Sequence, residues 1–386
     1  MSELGSRTHS GPPRTLVVTN DLPPRQGGIE VFVDGLLRRF PADSAVVYAS
    51  SEPGAEAYDR SLPHPVVRDA ARTLLPTRGT AERAVALARR FRCDSVWFGA
   101  AAPLGLLAGA LCRDTGVRRV VATTHGHEVW WAKTPGSRTL LRRVGAGADV
   151  VTYLGDRTRR AIAPVLSPGT GLARLVPGVD AEVFRPGLDP RPVRVRHGIG
   201  EREPVVLCAA RLVPRKGQDT LVEALPMVRR VVPGARLLLV GAGPYERGLR
   251  RRAAKEGVLD AVVFAGGRAH AELPGYYAAA DVFAMPCRTR RAGLEVEGLG
   301  IVFLEAAAAG LPVIAGNSGG APETVREGES GYVVDGRSPA AVADRVVRLL
   351  LDRELARAMG AKGRDRVLRE WNWKGSYETL AHLLGR

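Results

Sequence analysis

The chain has 386 residues, 45% apolar and 25% charged, a length and balance that suit two folded domains and exclude a disordered or fibrous protein. No apolar run reaches the roughly 18–20 residues needed to span a bilayer. The formal net charge is +16, yet only five of the 56 basic residues are lysine, so the excess reads either as compositional bias or as affinity for an anionic nucleotide or lipid; with 5% aromatic residues and no recognisable nucleic-acid module, nucleic acid is the weakest candidate.

Residues 1–14 are polar, carry Gly and Pro, lack a signal peptide's apolar core, and read as a disordered tail. Cys93, Cys112, Cys208 and Cys287 are widely separated, which points to a reducing cytoplasm and no structural disulfide. A first strand is expected over Leu16–Thr19. It runs into Asn20–Glu30, where Gly27 and Gly28 open a helix expected over Ile29–Phe40 and would let backbone N–H groups approach an anion; a plain turn stays open, and G-x-G-x-x-G is absent. Strands follow at Ala45–Tyr48 and Ser95–Phe98, with a helix over Thr80–Phe91 between them. From Arg68 to Arg92, seven arginines interleave with Leu74, Leu75, Val85, Leu87 and Phe91. This is either a basic amphipathic stretch for acidic headgroups or a solvated face.

The strand Val120–Ala122 leads into Thr123-Thr124-His125-Gly126-His127-Glu128. Neither H-E-x-x-H nor a cysteine partner accompanies these histidines, so a substrate-facing or buried structural histidine outweighs a zinc ligand. After Val150–Tyr153 the pattern pauses at Pro177–Asp180 and the Pro-rich Phe184–Pro192, dividing the chain into domains 15–185 and 186–370. Strands Val205–Ala209, Arg236–Val240, Val262–Phe264, Val282–Ala284 and Val313–Ala315 build the second sheet, and helices run from Pro339 onward. A last helix over 371–386, opened by Trp371 and Trp373, is expected to pack back on the first domain.

The second domain's first strand ends in a cationic turn with Arg211, Arg215 and Lys216, suited to a diphosphate, with a solvated basic turn as the alternative. Further on, Glu297 precedes a helix and Glu305 lies inside it, with Gly298 and Gly300 between them. Free N–H groups at that helix start would face a phosphate, and the carboxylates would flank it. A glutamate in the apolar run after Ile301 needs partners, which directs Glu305 to a cleft. Alternating strands and helices imply α/β architecture, two Rossmann-like domains facing across a cleft, with ligands at the strand carboxyl ends.

The Glu297/Glu305 spacing and the Arg211/Lys216 pair resemble the donor site of the family 4 glycosyltransferases of the GT-B fold. Longer strings are similar to the actinobacterial PimB-type mannosyltransferases acting on phosphatidylinositol monomannoside. They are TNDLPPRQGGI (19–29), WFGAAAPL (97–104), THGHEV (124–129), PGSR (135–138), RLVPRKGQD (211–219), EGLGIV (297–302) and PVIAGNSGGAPETV (312–325). The resemblance implies a retaining enzyme that moves mannose from GDP-mannose to a hydroxyl of a phosphatidylinositol mannoside, forming an α-1,6 linkage. No Asp-rich or His/Cys metal constellation accompanies these residues, and the diphosphate would have protein cations, so no metal and no cofactor are expected. Donor contacts would come from Gly27, Gly28, Arg211, Lys216, Arg268, Glu297, Gly298, Leu299, Gly300, Ile301 and Glu305, with Arg211 and Lys216 on the diphosphate, Glu305 on the ribose and Glu297 on the mannose. Asp21, Gln26, His125 and His127 would face the acceptor, and His125, Asp21, Arg211, Lys216 and Glu297 would carry the catalysis. The implied partners are a nucleotide sugar and a lipid-linked acceptor, met by a cytoplasmic protein held peripherally at the anionic inner face of the plasma membrane. Arg290-Arg291-Ala292-Gly293 departs from a glycine-richer loop in that subfamily. A transferase with another acceptor, a sugar-nucleotide 2-epimerase and a non-catalytic binding protein are the competing readings.

Overall fold

The computed structural model describes residues 14–25 and 27–386; the expected tail, apart from Arg14, and the expected acceptor contact Gln26 lie outside the described residues. Two parallel sheets organise the chain. The first holds β1 (Thr15–Thr19), β2 (Ala45–Ala49), β3 (Val66–Arg68), β4 (Ser95–Phe98), β5 (Arg119–Thr123), β6 (Val150–Tyr153) and β7 (Gly171–Arg174), in the order β3-β2-β1-β4-β5-β6-β7. The second holds β8 (Val205–Ala209), β9 (Arg236–Val240), β10 (Val262–Gly266), β11 (Val282–Met285), β12 (Val313–Gly316) and β13 (Gly331–Val334), in the order β10-β9-β8-β11-β12-β13. The central strands β1, β4, β8 and β11 are buried along their whole length and mostly apolar, because helices cover both faces of each sheet.

The helices that bear on function are α1 (Gly28–Leu37), α2 (Arg78–Phe91), α3 (Glu128–Lys133), α4 (Asp156–Ile162), α5 (Gln218–Val231), α6 (Leu273–Ala278), α7 (Ile301–Ala308), α8 (Pro339–Leu351), α9 (Arg353–Glu370) and α10 (Trp373–Leu383). In each sheet the order reverses beside the first strand, between β1 and β4 and between β8 and β11. Loops leaving two strands at such a reversal diverge to opposite faces and open a crevice between them. The Asn20–Gly28 and Arg211–Gly217 loops both leave a strand at that point.

The basic stretch divides differently from the sequence pattern. Thr77 caps α2 by accepting from the Thr80 N–H, and Val85 and Leu87 face inward with Leu74, so most of the stretch's apolar side belongs to the core. Arg68 is committed to Asp59 at 2.7 Å and to the carbonyls of Ser50 and Pro23. Arg72, Arg78, Arg83, Arg89, Arg90 and Arg92 remain exposed. No helix among the described residues is long and apolar enough to cross a membrane.

Trp371 does not open the last helix. It ends α9, fully buried, and Asn372 caps α10 by accepting from the Gly375 N–H. The Trp371 N–H donates to the Val367 carbonyl at 2.9 Å, which continues α9 by one bond, and its φ of −131 then breaks the helical path before Asn372. α10 lies against α1, with Trp373, Leu380 and Leu384 joining Phe32, Leu36 and Phe40 in the first domain's core. Gly35 makes room for the Trp373 indole, which any side chain there would strike. Where the chain crosses between the sheets, the Val179 N–H donates to the Trp371 carbonyl at 2.8 Å.

Candidate active site

Loops from both sheets meet at one place. Gly126 has φ +96, a left-handed backbone that favours glycine, and a Cβ there would stand 2.8 Å from Gly298 Cα. A Cβ on Gly298 would in turn strike the His125 carbonyl. The His125–His127 loop after β5 and the Glu297–Gly300 loop before α7 therefore touch backbone to backbone, and only glycine on both sides permits it.

On the first-domain side, α1 begins at Gly28 with Gly27 as its cap, and both are exposed. A Cβ on Gly28 would meet nothing within 4 Å, so the space beside this helix start is open, although the Glu30 carboxylate folds back on it and accepts from its own N–H. Asp21 and Glu30 border it. Burial pushes both carboxyls up, against the pull of His125, His127 and Arg25 on Asp21.

His125 is buried, and its Nε2 lies 2.6 Å from the Gly99 carbonyl after β4. A carbonyl only accepts, so Nε2 carries a proton and Nδ1 is the acceptor in the neutral ring. Burial lowers the imidazole's pKa, with Glu128 opposing. Glu128 is wholly buried and folds back on the loop, its Oε2 accepting from the N–H groups of His125 (3.0 Å) and Gly126 (3.1 Å). Its Oε1 faces His127 Nε2 at 3.2 Å without the alignment of a hydrogen bond. The sequence places Glu128 beside the histidines, but nothing in it says that the carboxylate shapes their loop.

On the second-domain side, the turn after β8 presents its cations differently. Lys216 Nζ and Arg215 each stand 2.8 Å from Glu297 Oε2. Burial pushes the Glu297 carboxyl up, but Lys216 and Arg215 outweigh it and hold the group below its ordinary value. Arg211 is exposed, and its side chain has no hydrogen-bond or ion-pair partner among the described residues, while its carbonyl accepts from Gln218 Nε2 at 3.1 Å. The turn is braced from behind: the Arg288 N–H donates to the Arg215 carbonyl, and the Arg288 guanidinium pairs with Asp219 and Thr220.

Glu297 is followed by Gly298, whose carbonyl accepts from Gly320, and by Leu299, whose side chain is buried in the core, leaving only its backbone to face a ligand. Gly300 caps α7 with φ +84, and Ile301 begins it, half-buried. Glu305 lies five residues into α7, 2% exposed, with His270 and Tyr277 on its carboxylate at 2.8 Å each. Both partners lie about 30 residues upstream, where no sequence pattern links them to Glu305. Arg268 follows β10 but turns its guanidinium back on the Ala265 carbonyl, at 3.0 and 2.7 Å. Glu323 reaches across to the first domain, accepting from the Asp156 and Arg157 N–H groups that open α4.

Comparison with known proteins agrees with this arrangement. Residues 26–183 match the model described as Glycosyltransferase Family 4, and residues 191–366 the one described as Glycosyl transferases group 1. The chain is 52% identical over 378 residues to the GDP-mannose-dependent alpha-(1-6)-phosphatidylinositol monomannoside mannosyltransferase of Mycobacterium tuberculosis, covering 96% of this chain and 98% of that protein. It is 44% identical over 375 residues to the Corynebacterium glutamicum enzyme named for the monoacylated acceptor, covering 96% and 97%. Among solved structures, Anabaena HepE in complex with UDP superposes with a TM-score of 0.81 at 20% identity, over 96% of this chain and 99% of that one. WaaG, a glycosyltransferase involved in lipopolysaccharide biosynthesis, superposes at 0.70 and 18% identity, over 96% and 100%.

Proposed function

The chain belongs to the family 4 glycosyltransferases, and from that premise we propose that it moves mannose from GDP-mannose to a hydroxyl of a phosphatidylinositol mannoside, with retention. The observation that carries this reading is the backbone contact of Gly126 with Gly298, which joins the half that carries the exposed start of α1 to the half that carries the Arg211/Lys216 turn and the start of α7.

In this reading Arg211, Lys216 and the two helix starts hold the donor diphosphate, and Glu305 takes the ribose hydroxyls. Glu297, the counter-ion of Lys216, faces the mannose. His125 presents Nδ1, unprotonated because the ring is buried, to a sugar or acceptor hydroxyl. Asp21 and His127 border the acceptor side. The bond from mannose C1 to the diphosphate oxygen breaks as the acceptor oxygen forms its bond to C1 on the same face. The acceptor proton passes to the departing phosphate oxygen. Arg211, Lys216 drawn from Glu297, and helix N–H groups lower the barrier by stabilising the charge that develops on that oxygen, which is electrostatic catalysis. No metal is required in this scheme, because protein cations do that work.

The acceptor is a lipid, and the exposed arginines along and beside α2 supply attraction to an acidic surface. The attraction is mainly electrostatic, since most of the stretch's apolar side is spent on the core. The test incubates purified protein with GDP-mannose, a panel of phosphatidylinositol mannosides and EDTA, and reads products by mass spectrometry. A mannosylated lipid formed in EDTA is the expected result. Conversion of donor without acceptor, or activity that needs an added divalent ion, overturns it.

A further inference from the structure

We infer that His270 is a positioning residue for the donor's ribose, one that fixes the Glu305 carboxylate so that both of its oxygens face the cis-diol. The inference rests on the reading of Glu305 as the ribose acceptor.

Glu305 projects from α7, whose other residues are apolar, and is 2% exposed. Its two oxygens are divided between two donors. Oε1 stands 2.8 Å from His270 Nε2, and Oε2 accepts from the Tyr277 hydroxyl at 2.8 Å. One donor on each oxygen fixes the plane of the carboxylate. Each oxygen keeps a second lone pair, so two acceptor sites remain, side by side. A ribose presents two adjacent hydroxyl donors, which matches that pair.

The two donors are not equivalent. Tyr277 is wholly buried, packed on Phe184 and Phe283, and belongs to the core. His270 has about half of its side chain exposed, at the margin of the site, with the Phe184 ring 5.3 Å away on its other side. The hydrogen bond to Glu305 raises the imidazole's pKa against burial, and Asp34 on α1 of the opposite domain adds to the rise. Asp34 itself is held by Arg38 and by the Tyr58 hydroxyl, so it does not compete for the ring. His270 is therefore a directed donor held between an aromatic ring and the carboxylate, half-exposed where Tyr277 is part of the core.

The test compares GDP with 2′,3′-dideoxy-GDP by calorimetry in the full-length protein. In the wild type the loss of two hydroxyls facing a carboxylate should weaken binding on the order of ten- to a hundred-fold. His270→Ala should bring that ratio down towards one by weakening GDP while leaving dideoxy-GDP unchanged. His270→Gln, whose amide N–H reaches the same oxygen, should recover most of it. A ratio that stays at the wild-type value in His270→Ala, an equal loss for both nucleotides, or a glutamine variant no better than alanine overturns the proposal. Glu305→Gln separates the premise from the inference. If it leaves the ratio intact, the ribose is held elsewhere and the reading of Glu305 fails; if it collapses the ratio while His270→Ala does not, only the role of His270 fails.

Discussion

With Lys216 Nζ and Arg215 both 2.8 Å from Glu297, an incoming diphosphate meets cations that already share a buried counter-ion. The phosphate must compete with Glu297 for Lys216, while Arg211 stands ready. Charge-assisted bonds of this kind are worth roughly 1.5–3 kcal/mol, so Lys216→Ala should weaken GDP about ten- to a hundred-fold in a titration calorimeter. An unchanged affinity would remove Lys216 from the donor site. Glu297→Gln should act in another way: turnover falls steeply, whereas GDP, which has no mannose, binds no more weakly because both cations are released. The same substitution has a pH signature. Lys216 and Arg215 hold the Glu297 carboxyl below its ordinary 4.5, although burial opposes them. A group depressed on folding contributes stability above its unfolded value and loses it as pH falls through the folded one. Denaturant melts should therefore show wild type more stable than Glu297→Gln at pH 7, with the gap closing below about pH 4.5. The cationic turn and the paired glutamates are legible in the sequence because they lie close together along it. The counter-ion pairing of Arg215 with Glu297 spans 82 positions, and the His270–Glu305 pair spans 35; such partners are set by tertiary packing, which leaves no local pattern.

The hairpin from Arg290 to Glu295 shows what an element can cost. Arg291, Ala292 and Gly293 follow one another with φ of 49, 52 and 93, three successive left-handed residues of which only the last is glycine. A bridge between Arg290 and Glu295 closes the turn, and both arginines pair with the Glu295 carboxylate. Left-handed backbone costs a residue with a Cβ roughly 1–2 kcal/mol, partly offset when glycine also loosens the unfolded chain. Ala292→Gly should thus stabilise the protein by up to about 1 kcal/mol in urea denaturation, while Ala292→Val should destabilise it. A neutral glycine and a neutral valine together would mean that the turn does not hold this conformation in solution. Strands show the same division between local pattern and context. β1, β4, β8 and β9 read plainly from sequence because strands covered on both faces carry runs of three or more apolar residues. β3 and β7 lie at the two edges of the first sheet, one half-buried throughout and the other alternating with exposed positions, and their composition does not separate them from loops. Trp371 misleads for a related reason: a tryptophan between two helices can begin one or end the other, and only the backbone bond from its N–H to the Val367 carbonyl assigns it to the end of α9.

Across the whole molecule the two halves touch at Gly126 and Gly298, and the Glu323 carboxylate caps the start of α4 from the other side. Gly126→Ala adds one methyl group where backbone meets backbone, and its left-handed φ adds strain. It should hold the halves apart and lower kcat at least tenfold, with GDP affinity falling only in part, because the start of α1 is drawn away from the diphosphate while Arg211, Lys216, Glu305 and the start of α7 stay together in the second domain. Kinetics and calorimetry on the same preparation check this, and full activity would show that the contact is not made during turnover. The manner in which the halves are joined bears on the same motion. The chain passes from one half to the other near Val179 and returns near Trp371, and the two passages are hydrogen-bonded to each other. A single tether would let the halves slide, twist and drift apart. Two strands bound along one line act as a spine, leaving opening and shutting as the easy movement. The pages of such a book always fall back onto the same facing lines, so each closure returns Gly126 to Gly298 and the two anion-seeking helix starts to opposite sides of the same gap.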